Sequence, residues 1–430
     1  MNNLKLFSPS NGVKLCLMPY DIFKTSVVSV SMSMPLETRV EERALLAYIL
    51  KRCSAEYDDI TKINRKLAEL YGAVLSSGVS KKGEAQVMTF SITCVDDKFS
   101  LTDEKISEEG MKLLLDLIFK PKLVDGMFAK QDVETQKRLL VEAIDGEFSE
   151  KRTYALGRAE EEMCKNEMYA TKRYGKRDRI LQLTPEEVTV AWKEMIEKAI
   201  VQINVVGSSA GENILKEVEN RFENIDRSNL CEIKTEYVVS SPEENYVSQK
   251  QPVKQGKLVI GLRAGMTNKN DNNYALHVMT DILGGGPYSK LFMNVREKMS
   301  LCYYCSARFV RAKGIIMIQS GIEQENEEKA INAIKQQIED MKNGNFTKDD
   351  FENSIKGITD SCLSLKDTPD GIDSWYAGQY CDGSEVKFES PEEYVENIKK
   401  VTTQQVQVAA QGVSIDTIYM LKSNSEQGEE

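Results

Sequence analysis

The chain has 430 residues, 41% hydrophobic and 29% charged, with a formal net charge of −11 and an isoelectric point near 5.1. That length predicts two domains of about 200 residues each, and the acidity argues against a nucleic-acid-binding face, leaving the short basic run at residues 172–177 as a solvated loop. No apolar run approaches the roughly 18 residues of a membrane helix, the first residues lack the order of a secretory signal, and nine scattered cysteines fit reduced thiols in a cytoplasmic protein.

Residues 12–17 read as a strand, and 26–34 as another in which Val28, Val30 and Met32 alternate with serines. An acidic loop carrying Glu37, Glu41 and Glu42 leads into an apolar helix over 44–51. A second helix over 58–70 sets Ile60, Ile63, Leu67 and Leu70 on one face. Two strands follow, joined at Lys81, Lys82 and Gly83, and residues 133–163 are strongly helical. Thr184-Pro185-Glu186-Glu187 is an N-cap with proline in the first turn. Residues 201–206 form a closing strand, and the polar segment 240–256, with Pro242 and Pro252, reads as linker.

The order then recurs. A strand at 257–263 is followed by a polar loop at 267–273, a helix at 274–283 and a second helix at 289–298. Residues 302–310 and 314–320 form a hairpin, 324–341 and 347–365 are helical, Ser390-Pro391-Glu392-Glu393 repeats the cap, and 415–421 closes the unit. Two matching units predict a duplicated α+β domain, at 1–230 and 257–430 with 231–256 between them. Each is expected to be an antiparallel sheet packed on one side by helices.

The segment from Leu283 through the glycines to Ser289-Lys290-Leu291-Phe292, Arg296-Glu297-Lys298 and Tyr303 carries a long, gapless resemblance. It resembles the pitrilysin/insulinase family of zinc peptidases, in the branch of mitochondrial processing peptidase. Active members hold zinc with two His of a His-x-x-Glu-His helix, whose Glu is the general base, and with a later Glu. By that resemblance the motif falls at Ala47, Leu50 and Lys51, so both ligands and the base are replaced. The distal ligand falls on Ala143, or one residue earlier on Glu142. The composition agrees, since His277 is the one histidine in the sequence and cannot supply a pair. The resemblance implies half of a clam-shell dimer and a role for Arg296 and Tyr303 in hydrogen-bonding substrate backbone. It is nearest to a bacterial non-zinc subgroup labelled as associated with aminopentanol modification of elongation factor P.

Other features read plainly. Gly284-Gly285-Gly286 is a helix C-cap and tight turn, because no P-loop lysine follows. Tyr304 points to the strand face opposite Tyr303, and Cys302 and Cys305, three apart on a strand, are expected on opposite faces. His277 is expected to pack among apolar helix residues. Tyr154 and Arg158 read as ordinary helix residues, Glu160-Glu161-Glu162 as a solvated face and residues 426–430 as a frayed tail.

The chain is therefore expected to be no enzyme alone and to use no cofactor. Its expected partners are a zinc-bearing sister in a heterodimer, or a second copy of itself, and a peptide substrate. The rivals are a non-proteolytic, homodimeric scaffold and, last, a thiol enzyme using Cys302 or Cys305, for which no activating His/Asp set exists. The purified chain is predicted to hold no stoichiometric zinc, because Lys51 places a cation where a metal would bind. Elemental analysis finding one zinc per chain, lost on Glu142→Ala, would overturn this.

Overall fold

The computed structural model describes residues 4–208, 212–270, 272–384 and 387–424, so residues 426–430 lie outside the described part. In chain order the strands are β1 (Lys5–Ser10), β2 (Val13–Met18), β3 (Thr25–Pro35), β4 (Val74–Lys82), β5 (Ala85–Val95), β6 (Ile200–Val206), β7 (Asn245–Gln251), β8 (Gly256–Arg263), β9 (Cys302–Val310), β10 (Ile315–Ile322) and β11 (Ser414–Ser423). The helices of the first stretch are α1 (Val40–Ile49), α2 (Ile60–Glu69), α3 (Ile106–Phe119), α4 (Lys130–Ser149), α5 (Lys151–Met163), α6 (Arg177–Gln182), α7 (Pro185–Lys198) and α8 (Glu212–Phe222). Those that follow are α9 (Asn273–Gly284), α10 (Glu327–Lys342), α11 (Lys348–Ser364), α12 (Pro369–Tyr376), α13 (Pro391–Lys399) and α14 (Thr403–Gln411). Residues Leu291–Lys298 wind as a wider π-helix.

The duplicated α+β reading is borne out strand by strand. The first sheet runs β1-β2-β6-β3-β5-β4 and the second β7-β11-β8-β10-β9. Leaving β1 aside, the two orders match. β2 runs parallel to β6 as β7 does to β11, and every other neighbouring pair is antiparallel. The segment expected to be linker thus supplies β7. Its residues alternate between exposed and half-buried as an edge strand's do, a pattern too short and polar to read from sequence.

The chain divides into two compact units that interleave in sequence. One comprises Met1–Ile144, Thr171–Lys234 and Ser364–Ser390, the other Asp145–Ala170, Thr235–Leu363 and Pro391–Glu430. The reason lies in the burial of the sheets. Along β3 the apolar Val28, Val30 and Met32 are buried, but so are Ser29, Ser31 and Ser33. Alternation of apolar and polar residues predicts one solvated face; here α12 covers it. Ser29 Oγ donates to Asp373 Oδ1 at 2.6 Å and Asn204 Nδ2 to the same oxygen at 2.9 Å. Gln202 Nε2 donates to the Tyr376 carbonyl at 2.7 Å. Short polar side chains on β3 and β6 are what lets an exchanged helix sit close with its buried polar groups satisfied.

The second sheet is covered in the same way by α5. The helical stretch over 133–163 is not continuous. Glu150, at φ −84° and ψ 87°, breaks it into α4 and α5. Phe148 and Tyr154 meet edge to face at 4.9 Å across that elbow, with Lys151 over the Phe148 ring. Tyr154, read as an ordinary helix residue, donates its hydroxyl to Gln249 at 3.2 Å. Beyond α5, the buried Glu167 pairs with Arg263 at 2.8 Å and Lys313 at 2.7 Å. Arg263 also donates to Asp416 at 2.7 Å. A bulge in β11 leaves Asp416 without a partner residue on β8 and turns it toward that arginine.

Burial alone would push the Glu167 carboxyl up, but hydrogen bonds from Arg263 and Lys313 outweigh it and hold it below the usual glutamate range. A depressed carboxylate pKa stabilises the fold above the unfolded value and loses that contribution as pH falls through the folded one. Glu167→Ala removes a shared carboxylate from Arg263, which keeps Asp416, and from Lys313, which keeps the Glu236 carbonyl. It is predicted to cost about 3 kcal/mol at neutral pH, the low end for breaking a buried pair, with the gap from wild type narrowing in acid as the native carboxyl protonates. Urea denaturation across pH tests this. A gap below about 1 kcal/mol, as for a surface pair, or one independent of pH, contradicts it.

Candidate functional site

The positions that the resemblance assigns to the zinc motif lie in the first unit. Ala47 and Leu50 are fully buried, and both share one apolar cluster with Val133, Leu140 and Val141 of α4. α1 ends here. Its last backbone bond runs from the Leu50 N–H to the Leu46 carbonyl at 2.9 Å, while the Ala47 carbonyl accepts the Ser77 hydroxyl of β4 at 2.6 Å. Lys51 thus follows the helix instead of riding on its last turn, and its ammonium stands 5.4 Å from the Tyr48 ring centre. Two ligands at i and i+4 need a helix that runs through both positions, and this one stops between them.

On α4, Ala143 is half-buried, and Glu142 is 62% exposed and paired with Arg138 of its own helix at 3.7 Å. Among the described residues, no three His, Cys, Asp or Glu side chains gather as a metal site. The residues present do not fit zinc: an apolar core and a lysine occupy the motif. His277, in the second unit, hydrogen-bonds the Tyr394 hydroxyl at 2.7 Å through Nδ1. Burial, helped by Arg311, pushes its pKa down to about 4, so the ring is neutral.

Arg296 and Tyr303 lie in the second unit, at the end of the π-helical segment and the start of β9. Gly284, the last residue of α9, lets that helix approach β9 closely, because a Cβ there would stand 2.4 Å from the Ala307 backbone nitrogen. Gly285 caps α9 in ordinary right-handed geometry at φ −80°. The glycines therefore serve close packing, and the left-handed conformation expected of a glycine cap is not used.

β9 is an edge strand of its sheet and carries a bulge. Tyr304 faces Gly321 of β10 while Cys302 faces Ile322, so Tyr303 is the extra residue. Tyr303 is 59% exposed, and its hydroxyl donates to Glu323 at 2.6 Å. That bond to a carboxylate raises the phenol above its ordinary range. The Arg296 guanidinium lies 4.5 Å from the Phe292 ring centre and 3.5 Å from the Glu297 carboxylate. The two side chains are held locally by these neighbours, and Arg296 also exerts a favourable charge on the Cys302 thiolate next to Tyr303. Tyr304 is half-buried, with Arg152 and Lys257 over its ring.

Cys302 and Cys305, expected on opposite faces, depart from the alternation of a regular strand. The bulge shifts the alternation of β9 by one residue, so Cys302, opposite Ile322, and Cys305, opposite Ser320, share one face. Nothing in the local sequence marks a bulge of non-glycine residues, so the signal was absent.

Comparisons with known proteins agree with this geometry. A family model described as the inactive domain of peptidase M16 matches residues 182–358. The chain is 32% identical over 423 residues to the "Probable inactive metalloprotease YmfF" of Bacillus subtilis (strain 168), covering 98% of each chain. A crystal structure of a conserved protein from Enterococcus faecalis V583 superposes with a TM-score of 0.87 at 23% identity, covering 99% of this chain and 100% of that one. The peptidase M16 inactive domain from Pseudomonas fluorescens gives 0.79 at 15% identity, with 99% and 100% covered.

Proposed function

The chain belongs to the peptidase M16 family, and from that premise we propose that it is the non-zinc subunit of a heterodimeric metallopeptidase, contributing substrate-binding surface to a site completed by a sister chain. Among the described residues the chain alone has no ligand set for zinc hydrolysis. One contrast carries the reading: Ala47 and Leu50, where the resemblance puts a zinc ligand and the general base, are core, while Tyr303 is presented to solvent on an edge strand.

An edge strand can pair with an extended peptide through its free backbone groups. In this reading β9 takes the peptide, and Arg296 and Tyr303 donate hydrogen bonds to a carbonyl whose oxygen gains charge during hydrolysis. The sister supplies zinc and base. The subgroup labelled for aminopentanol modification of elongation factor P, and a cytoplasmic location, belong to the same proposal. A second reading, a homodimeric peptide-binding scaffold without proteolysis, is favoured by one observation: Tyr303 and Arg296 already have carboxylate partners in Glu323 and Glu297.

The test is reconstitution with a family member that carries His-x-x-Glu-His. Arg296→Ala or Tyr303→Phe is expected to lower turnover on the order of a hundredfold, with heterodimer mass and the sister's zinc content unchanged. Unchanged cleavage by an intact assembly would defeat the in-trans role. Failure to pair, with a stable homodimer by light scattering, would favour the scaffold.

A further inference from the structure

The dithiol on β9 plays no part in peptide binding as proposed above, and its arrangement is asymmetric. Cys302 is half-buried and Cys305 fully buried. The Ser320 hydroxyl, opposite Cys305 on β10, donates its one proton to the Tyr304 carbonyl at 3.0 Å and lies beside both thiols. Arg296 adds a positive charge on the side of Cys302. The register pairs Cys302 with Ile322 and Cys305 with Ser320, two residues apart on β10, so the bulge sets both thiols on one face, with the more accessible one on the side of the Arg296 cation. That is the layout of an attacking thiol with a resolving thiol.

We propose that Cys302 and Cys305 are a hydroperoxide-oxidisable pair that closes reversibly to an intramolecular disulfide. In the first step the Cys302 thiolate attacks one oxygen of the hydroperoxide. An S–O bond forms, the O–O bond breaks, and the departing oxygen takes a proton and leaves as alcohol or water. Sulfur is oxidised to a sulfenic acid and the peroxide is reduced. In the second step the Cys305 sulfur gives up its proton and attacks the Cys302 sulfur. The S–S bond forms, the S–O bond breaks, and hydroxide leaves with that proton as water. Two thiols and one hydroperoxide become one disulfide, one alcohol and one water.

Two physical points support the assignment. The hydrogen bond from Cys305, outweighing the burial of Cys302 and helped by Ser320 and Arg296, holds the Cys302 thiol below the ordinary range, while Cys305 is pushed above it. The half-buried Cys53 and Cys231 are pushed upward by burial, so Cys302 is the reactive one of these three. The second point concerns span. Residues three apart on a regular strand stand about 10 Å apart, beyond the roughly 7 Å a disulfide bridges. The bulge shortens that path, and Cys302 opens its strand just after Ser300, which sits at φ +51°. Closure therefore draws in the first residues of β9, and a bond made under that strain is readily reduced.

The test reads thiols alone, so its outcome is separable from that of peptide binding. The reduced full chain is treated with hydrogen peroxide, alkylated and digested. The peptide holding both cysteines is expected to be lighter by two hydrogens, restored by dithiothreitol, and formed on the order of tenfold faster than any other cysteine is oxidised. Cys302→Ser should abolish the reaction at Cys305. Cys305→Ser, or Cys305→Ala should the serine variant misfold, should leave a Cys302 sulfenic acid that dimedone traps. Alkylation of both thiols in wild type while other cysteines oxidise, or a trapped sulfenic acid without closure in wild type, would overturn the proposal.

Discussion

A sheet whose central strands are buried on both faces must find two covers, and that requirement shapes this protein more than any other. α1 and α3 pack on one face of the first sheet, but the second face of β3 and β6 is closed by α12, from far along the chain. α5 does the same for β8 and β11. The borrowed helices dock through polar anchors: Asp373 with Ser29 and Asn204 in one unit, Glu167 with Arg263 and Lys313 in the other. A misdocked helix would leave these buried groups unpaired, at about 1–3 kcal/mol each. Apolar area alone would tolerate a slipped helix; the anchors do not.

With both faces covered, the surface left to act is at the sheet edges. α1, where the resemblance puts the zinc motif, ends before Lys51, and its Ala47 and Leu50 pack in one apolar cluster with α4. At the edge of the second sheet, the bulge at Tyr303 turns that ring outward and brings Cys302 over Cys305. One inserted residue thus sets both the proposed peptide contact and the thiol pair.

Much of this was legible in the sequence. Period-two and period-3.6 patterns located most strands and helices, and their recurrence after residue 257 exposed the duplication. The capping box at Thr184 and Glu187 is formed as its residues imply. What escaped was non-local. An amphipathic helix declares which of its faces is apolar but not which sheet it will cover, so α5 read as a continuation of α4. The serines of β3 looked solvated because their cover, α12, lies more than three hundred residues away. Bulges at Tyr303 and Asp416 carry no glycine, and β7 is too polar to stand out. Residue identity made the replaced motif at Ala47 and Lys51 readable as an expectation, whereas the arrangement of Cys302, Tyr303 and Cys305 depends on strand register, which the sequence does not display.

The central claim is that this chain has kept a peptide-binding edge while giving up the metal. Hydrogen exchange on the purified protein with EDTA present, with and without a casein digest as a source of unstructured peptides, tests it most directly. The account predicts slowed exchange in β9 on peptide addition, weakened by Arg296→Ala, with β7 unchanged. Exchange in β9 that stays the same at every peptide concentration, or slows only when zinc is supplied, would contradict it.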